Sequence, residues 1–157
     1  MTENNVMGWL LDPSDPGVRY LALRDLLGRP NGDSELKSAR REAHEHGPIA
    51  HVLKNMHTEG YWAKAGPGYS PKYRSTVWSL ILLGQLGASV HEDARIATAC
   101  AYLLDHALAP GGQFSSMSSG APSGTIDCLQ GNLLRALVAL GCEDARMDTA
   151  YEWMARS

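Results

Sequence analysis

The chain has 157 residues, 44% of them hydrophobic and 20% charged, with a net charge of −3; this suits one domain with a real core and excludes a basic field that would recruit nucleic acid. No segment approaches the roughly 20 apolar residues of a membrane span, and the start MTENNVMGWLLDP lacks the basic residues and long apolar run of a signal peptide. The cysteines, Cys100, Cys128 and Cys142, are odd in number and not closely paired, which argues against a disulfide framework and for a reducing, cytoplasmic setting.

In chain order, Ser14 is a candidate N-cap ahead of VRYLALRDLLG at 18–28, which ends at Gly28. AHEHGPIAH then brings His44, His46 and His51, with Gly47-Pro48 breaking the helix between the last two. His44 and His46 point to different helix faces, unlike zinc-binding histidines one turn apart. His57, His91 and His106 are isolated, so all six histidines are expected at solvated or helix-end positions and no metal is implied. After the loop Gly60-Tyr61-Trp62, Ser70 is a candidate cap and Pro71 a first-turn residue of a helix over 71–86, stopped by Gly87. An amphipathic helix over 93–107 puts Ile96, Ala99, Cys100, Leu103 and Leu104 on one face. The Gly/Ser-rich stretch 111–124 contains no phosphate-loop pattern. Thr125 is a candidate cap for a helix over 126–140, stopped by Gly141, and AYEWMARS begins another helix. No segment alternates, so an all-α fold without a sheet is predicted.

These elements recur. HEDARIATAC at 91–100 and CEDARMDTAY at 142–151 share Glu-Asp-Ala-Arg and Thr-Ala at an offset of 51. Leu80, Leu83, Leu86 and Gly87 match Leu134, Leu137, Leu140 and Gly141 at an offset of 54, with a weaker copy at Leu21, Leu27 and Gly28. Gly60-Tyr61-Trp62 and Gly112-Gln113-Phe114 are 52 apart, and Trp9-Leu10-Leu11-Asp12 echoes Tyr102-Leu103-Leu104-Asp105. One unit reads helix, Gly-x-aromatic loop, second helix, Leu-Gly stop. The helices before each Leu-Gly are apolar almost all round and are expected to be buried on most sides; those after it are amphipathic. An inner and an outer ring of helices is the pattern of an α/α-toroid, and a flat solenoid is the competing arrangement. Residues 1–157 read as a single domain of about three hairpins and the start of a fourth.

The stretch MHTEGYWAKAGPGYSPKYRSTVWSLILLGQLG at 56–87 resembles the repeat of squalene-type cyclases, and the whole pattern is similar to the α/α-toroids of terpene cyclases and protein prenyltransferases. The resemblance implies a partial toroid that handles an isoprenoid or another apolar small molecule, and a ring completed by a missing C-terminal half or by a homodimer. The departures are specific. Met56 and Leu108 stand where those repeats place Gln, and no Asp-x-Asp-Asp acid motif is present to protonate an alkene. Prenyltransferases hold zinc through Asp-x-Cys, whereas Asp127 and Cys128 are adjacent and point about 100° apart on a helix.

The repeat offsets select the candidate substrate-binding residues. Trp78 and Asn132 are equivalent at an offset of 54, with Arg19 in the weaker first copy; one turn earlier Tyr73 matches Asp127 and Arg74 matches Cys128. The loop 61–78 adds Tyr61, Trp62, Tyr69 and Lys72. Aromatic faces stabilise cations and basic groups hold a diphosphate; the same mixture suits a glycan or an acidic peptide, and Trp62 and Tyr69 equally suit structural anchors. No catalytic residue and no cofactor is indicated. Two functions stand: a cyclase/prenyltransferase-like domain with Trp78 and Asn132 lining one deep apolar pocket, or a non-catalytic helical-repeat scaffold for a peptide, glycan or partner subunit with those positions packed shut or on a broad groove.

Overall fold

A computed structural model describes residues 3–118 and 121–157. These form α1 (Glu3–Leu10), α2 (Pro16–Leu21) running into a π turn (Ala22–Leu26), α3 (Ser34–Glu45), α4 (Pro48–Lys54), α5 (Thr76–Gln85), α6 (Ala94–Ala107), α7 (Asp127–Ala139) and α8 (Arg146–Arg156). Among the described residues no strand forms, only isolated bridges between Leu108 and Phe114 and between Ser115 and Thr125. The protein is all-α, and no described helix is long and apolar enough to cross a membrane. The chain divides into two compact units, Met1–Lys54 and Asn55–Ser157.

In the first unit α2 packs on α3. Leu36, Ala39 and Ala43 recur every three or four residues along α3 and are fully buried, as are Tyr20 and Leu23 of the α2 segment. Asp33 caps α3, its carboxylate accepting from the Leu36 N–H at 2.9 Å. Asp15, not Ser14, caps α2 by accepting from Val18 N–H at 3.1 Å, while Ser14 donates its own N–H to Asp12. His44 departs from the expected solvated position: it is buried on the inward stripe of α3, with Nδ1 2.8 Å from the Arg40 carbonyl.

In the second unit α5 and α7 lie side by side, α6 packs on α5, and α8 packs on α7. Val77, Leu80 and Leu83 of α5 and Leu133, Leu134 and Leu137 of α7 are buried, and the expected stripe Ile96, Ala99, Cys100, Leu103 and Leu104 of α6 is buried with them. The two helices approach closely because Gly84 has no side chain: a Cβ there would sit 3.3 Å from Ala136 Cα. Two sequence boundaries shift. Tyr73 has φ +65°, which no α-helix accommodates, so α5 starts at Thr76 and Pro71 lies outside it. Thr125 is extended and bridged to Ser115, so α7 starts at Asp127, with Ile126 rather than Thr125 ahead of its first turn. Burial is also less complete than expected for α7: Cys128, Gly131, Asn132, Arg135 and Val138 form an exposed face.

The two Gly-x-aromatic loops make the same local bonds. His57 N–H donates to the Tyr61 carbonyl at 2.8 Å and Gly60 N–H to the His57 carbonyl at 2.9 Å; Ala109 to Gln113 and Gly112 to Ala109 repeat this at 2.9 Å each. Gly60 and Gly112 have φ of +99° and +95°, where glycine is favoured. Each lies on a carbonyl of the next amphipathic helix: an added Cβ would be 2.7 Å from Thr98 O and 2.5 Å from Thr149 O. Trp62 and Phe114 plug the core. Their N–H groups are received by Thr76 Oγ1 at 3.2 Å and Gln130 Oε1 at 2.7 Å, at matching places on α5 and α7. The stops also correspond, with Gly87 and Gly141 at φ +76° and +78° and the next N–H groups, of Ala88 and Cys142, reaching back to Leu83 and Leu137.

Candidate functional site

The loop entering α5 gathers four of the candidate residues. Trp78, in the first turn of α5, donates its indole N–H to the Tyr69 carbonyl at 2.8 Å, which ties the loop back onto the helix. The Tyr69 and Tyr73 rings meet Trp78 at centroid distances of 5.5 and 5.1 Å, both tilted. Lys72 Nζ stands 5.3 Å from the Tyr73 ring centre and 5.7 Å from that of Trp78. The cluster is superficial: Trp78 and Tyr69 are half-buried, Lys72 and Arg74 exposed, and Tyr73 is 73% exposed. Its chemistry is that of an aromatic shelf carrying one cation.

Tyr61 and Trp62 belong elsewhere. Tyr61 stacks on His57 at 4.3 Å and meets Tyr102 at 5.3 Å, and Tyr102 stacks in turn on His106 at 3.9 Å. Tyr102 also accepts the Gly66 N–H on its hydroxyl at 2.8 Å. Trp62 is 3% exposed and serves the core. Arg19 lies in the first unit, where it donates to Glu35 at 2.9 Å.

Asp127 and Asn132 come together on the open face of α7. With Cys128, Arg135, Trp153 and Met154 they line a broad hollow of about 870 Å³ between α7 and α8. Its wall is mainly apolar, with Asp127 at one end of α7 and Arg135 two turns further on. Asn132 Nδ2 donates to the Cys128 carbonyl at 2.8 Å. A much smaller space of about 30 Å³ between α5 and α7 also touches Asn132 and Arg135. Neither of these spaces includes Trp78. Asp127 and Cys128 are both exposed, and among the described residues no three His, Cys, Asp or Glu side chains converge as a metal site would require.

Two polar features had no place in the sequence reading. Gln130, 3% exposed, donates to the Phe114 and Ile126 carbonyls at 2.8 and 3.1 Å while accepting the Phe114 N–H. The signal was its offset of 54 from Thr76, the other residue that receives an aromatic N–H. The Cys100 and Cys142 thiols are hydrogen-bonded to each other, a pairing that a separation of 42 residues in the chain conceals.

Comparison with protein families, with curated proteins and with solved structures finds no match to this chain.

Proposed function

We propose that this protein is a helical-repeat scaffold of the partial α/α-toroid type, and that the open face of α7 binds a partner subunit, namely a second copy of the chain. The repeated loop, stop and capping bonds at matching positions support the hairpin repeat. The observation that carries the binding reading is the exposed, mainly apolar hollow of about 870 Å³ along α7 and α8. Its position follows the repeat. Ile81 and Gly84 of α5 face α7, and their equivalents 54 residues on, Arg135 and Val138, lie on the face that α7 leaves exposed.

Charge selects a second copy as the occupant. Asp127, Gly131 and Arg135 follow one another at four-residue intervals on that face. When two α7 helices cross antiparallel at Gly131, Asp127 of each copy comes level with Arg135 of the other, and the small residue at the centre allows close approach. Sedimentation velocity between about 1 and 100 μM tests this. A reversible dimer is expected. Arg135→Glu weakens it about tenfold, and combining Arg135→Glu with Asp127→Arg restores it. A monomer at every concentration, or a dimer indifferent to both charges, ends the proposal.

A second reading, an isoprenoid-handling domain, is favoured by the single cation of Lys72 set against Trp78 and Tyr73. It expects farnesyl diphosphate at about 1 mM to raise Tm, and Lys72→Ala to abolish the rise. No shift with the diphosphate removes that reading.

A further inference from the structure

Cys142 follows the Gly141 stop of α7 and forms part of the wall of an open hollow of about 300 Å³ shared with His91, Ala97, Ala101 and Asp144. Ala97 and Ala101 are one turn apart on α6, and they bracket the stretch of helix that carries Cys100. Cys100 is 1% exposed and Cys142 half-buried. One sulfur is therefore within reach of small solutes, and the other lies directly behind it in hydrogen-bond contact. Neither thiol takes part in the α7 groove or the aromatic shelf.

We propose that Cys142 and Cys100 form a peroxide-oxidisable dithiol that closes to an intramolecular disulfide linking α6 to the turn after α7. Cys142 is the attacking sulfur, because it is the one that meets the hollow. The hydrogen bond from Cys100 lowers its pKa against the opposing effect of burial; Asp144 raises it and Arg146 lowers it. The same bond and deeper burial raise the Cys100 pKa, keeping that thiol protonated as the donor. With a hydroperoxide, the Cys142 thiolate forms an S–O bond as the O–O bond breaks, leaving a sulfenic acid and releasing an alcohol or water. Cys100 then attacks the Cys142 sulfur. The S–S bond forms, the S–O bond breaks, and the departing hydroxide leaves as water with the Cys100 proton. Two thiols are oxidised to one disulfide, and one peroxide is reduced.

The test uses the full chain carrying Cys128→Ser, which removes the exposed thiol that would join two molecules. After treatment with hydrogen peroxide, intact mass should fall by two hydrogens and a digest should contain the Cys100–Cys142 crosslink. Because the bond closes a loop of about 40 residues, Tm should rise by roughly 5–10 °C and return with dithiothreitol. In Cys100→Ala, Cys142 should instead stop at a sulfenic acid that dimedone traps. Persistence of both thiols under excess peroxide overturns the proposal, as does oxidation of Cys142 to sulfinic acid with Cys100 still free.

Discussion

Replacing Gly60 with alanine probes how a Gly-x-aromatic turn is seated. The backbone there has φ +99°, and a side chain in such a conformation costs about 1–2 kcal/mol. The new Cβ would also lie 2.7 Å from Thr98 O and 3.1 Å from Tyr102 Cβ. The nearer atom is a helix carbonyl, which no rotamer change can move away, and overpacking of this kind costs about 1–3 kcal/mol. The expected loss is about 3 kcal/mol in urea unfolding followed by far-UV circular dichroism, with an unchanged m-value. Gly112→Ala should lose at least as much, since its Cβ would be 2.5 Å from Thr149 O at φ +95°. Gly131→Ala is the internal control: it lies within α7 with nothing inside 4 Å of the added carbon, and should gain about 1 kcal/mol from helix propensity. A loss below about 1 kcal/mol at Gly60 would refute the reasoning, because strain and contact together leave no room for so small an effect.

Gln130→Leu removes the acceptor for Phe114 N–H and the donor to two carbonyls; about 3 kcal/mol should be lost, and hydrogen exchange should show the Phe114 amide deprotected. Trp62→Ala empties a site only 3% exposed and should cost about 3–5 kcal/mol by the same unfolding assay. The Asp144 carboxyl is held down to about 2 by hydrogen bonds from the Arg146 side chain and backbone N–H. A depressed carboxylate stabilises the fold above its unfolded pKa and loses that contribution as pH falls through its folded one. The stability difference between the wild type and Asp144→Asn should therefore hold at neutral pH and vanish between about pH 4 and pH 2.

The helices and their glycine stops were legible because both leave local marks. Apolar spacing marked the buried stripe of α6, and Gly28, Gly87 and Gly141 all adopt the positive φ that their positions implied. The start of α5 was not legible, since apolar periodicity carries no record of a left-handed residue at Tyr73. The π turn at 22–26 was hidden for a related reason. It adds a residue to a helical turn, so the register ahead of Gly28 slips relative to the 59-residue offset that assigned Arg19. The pairing of Trp78 with Asn132 was correct as a position along equivalent helices, yet the two surroundings differ. Trp78 is held beneath a tyrosine loop, whereas Asn132 bonds within its own helix and borders the groove. Helical position is a local property, but what covers a helix face depends on the neighbouring chain, which the offset does not encode.

Because Gly112 rests on the Thr149 carbonyl, the turn that opens one hairpin is completed by the helix that follows that hairpin. A polypeptide emerging from the ribosome with α7 already out has no seat for this turn until residues 146–156 have emerged as well. Assembly of the second unit is thus paced from its trailing end: each new helix secures the bend before the one already made.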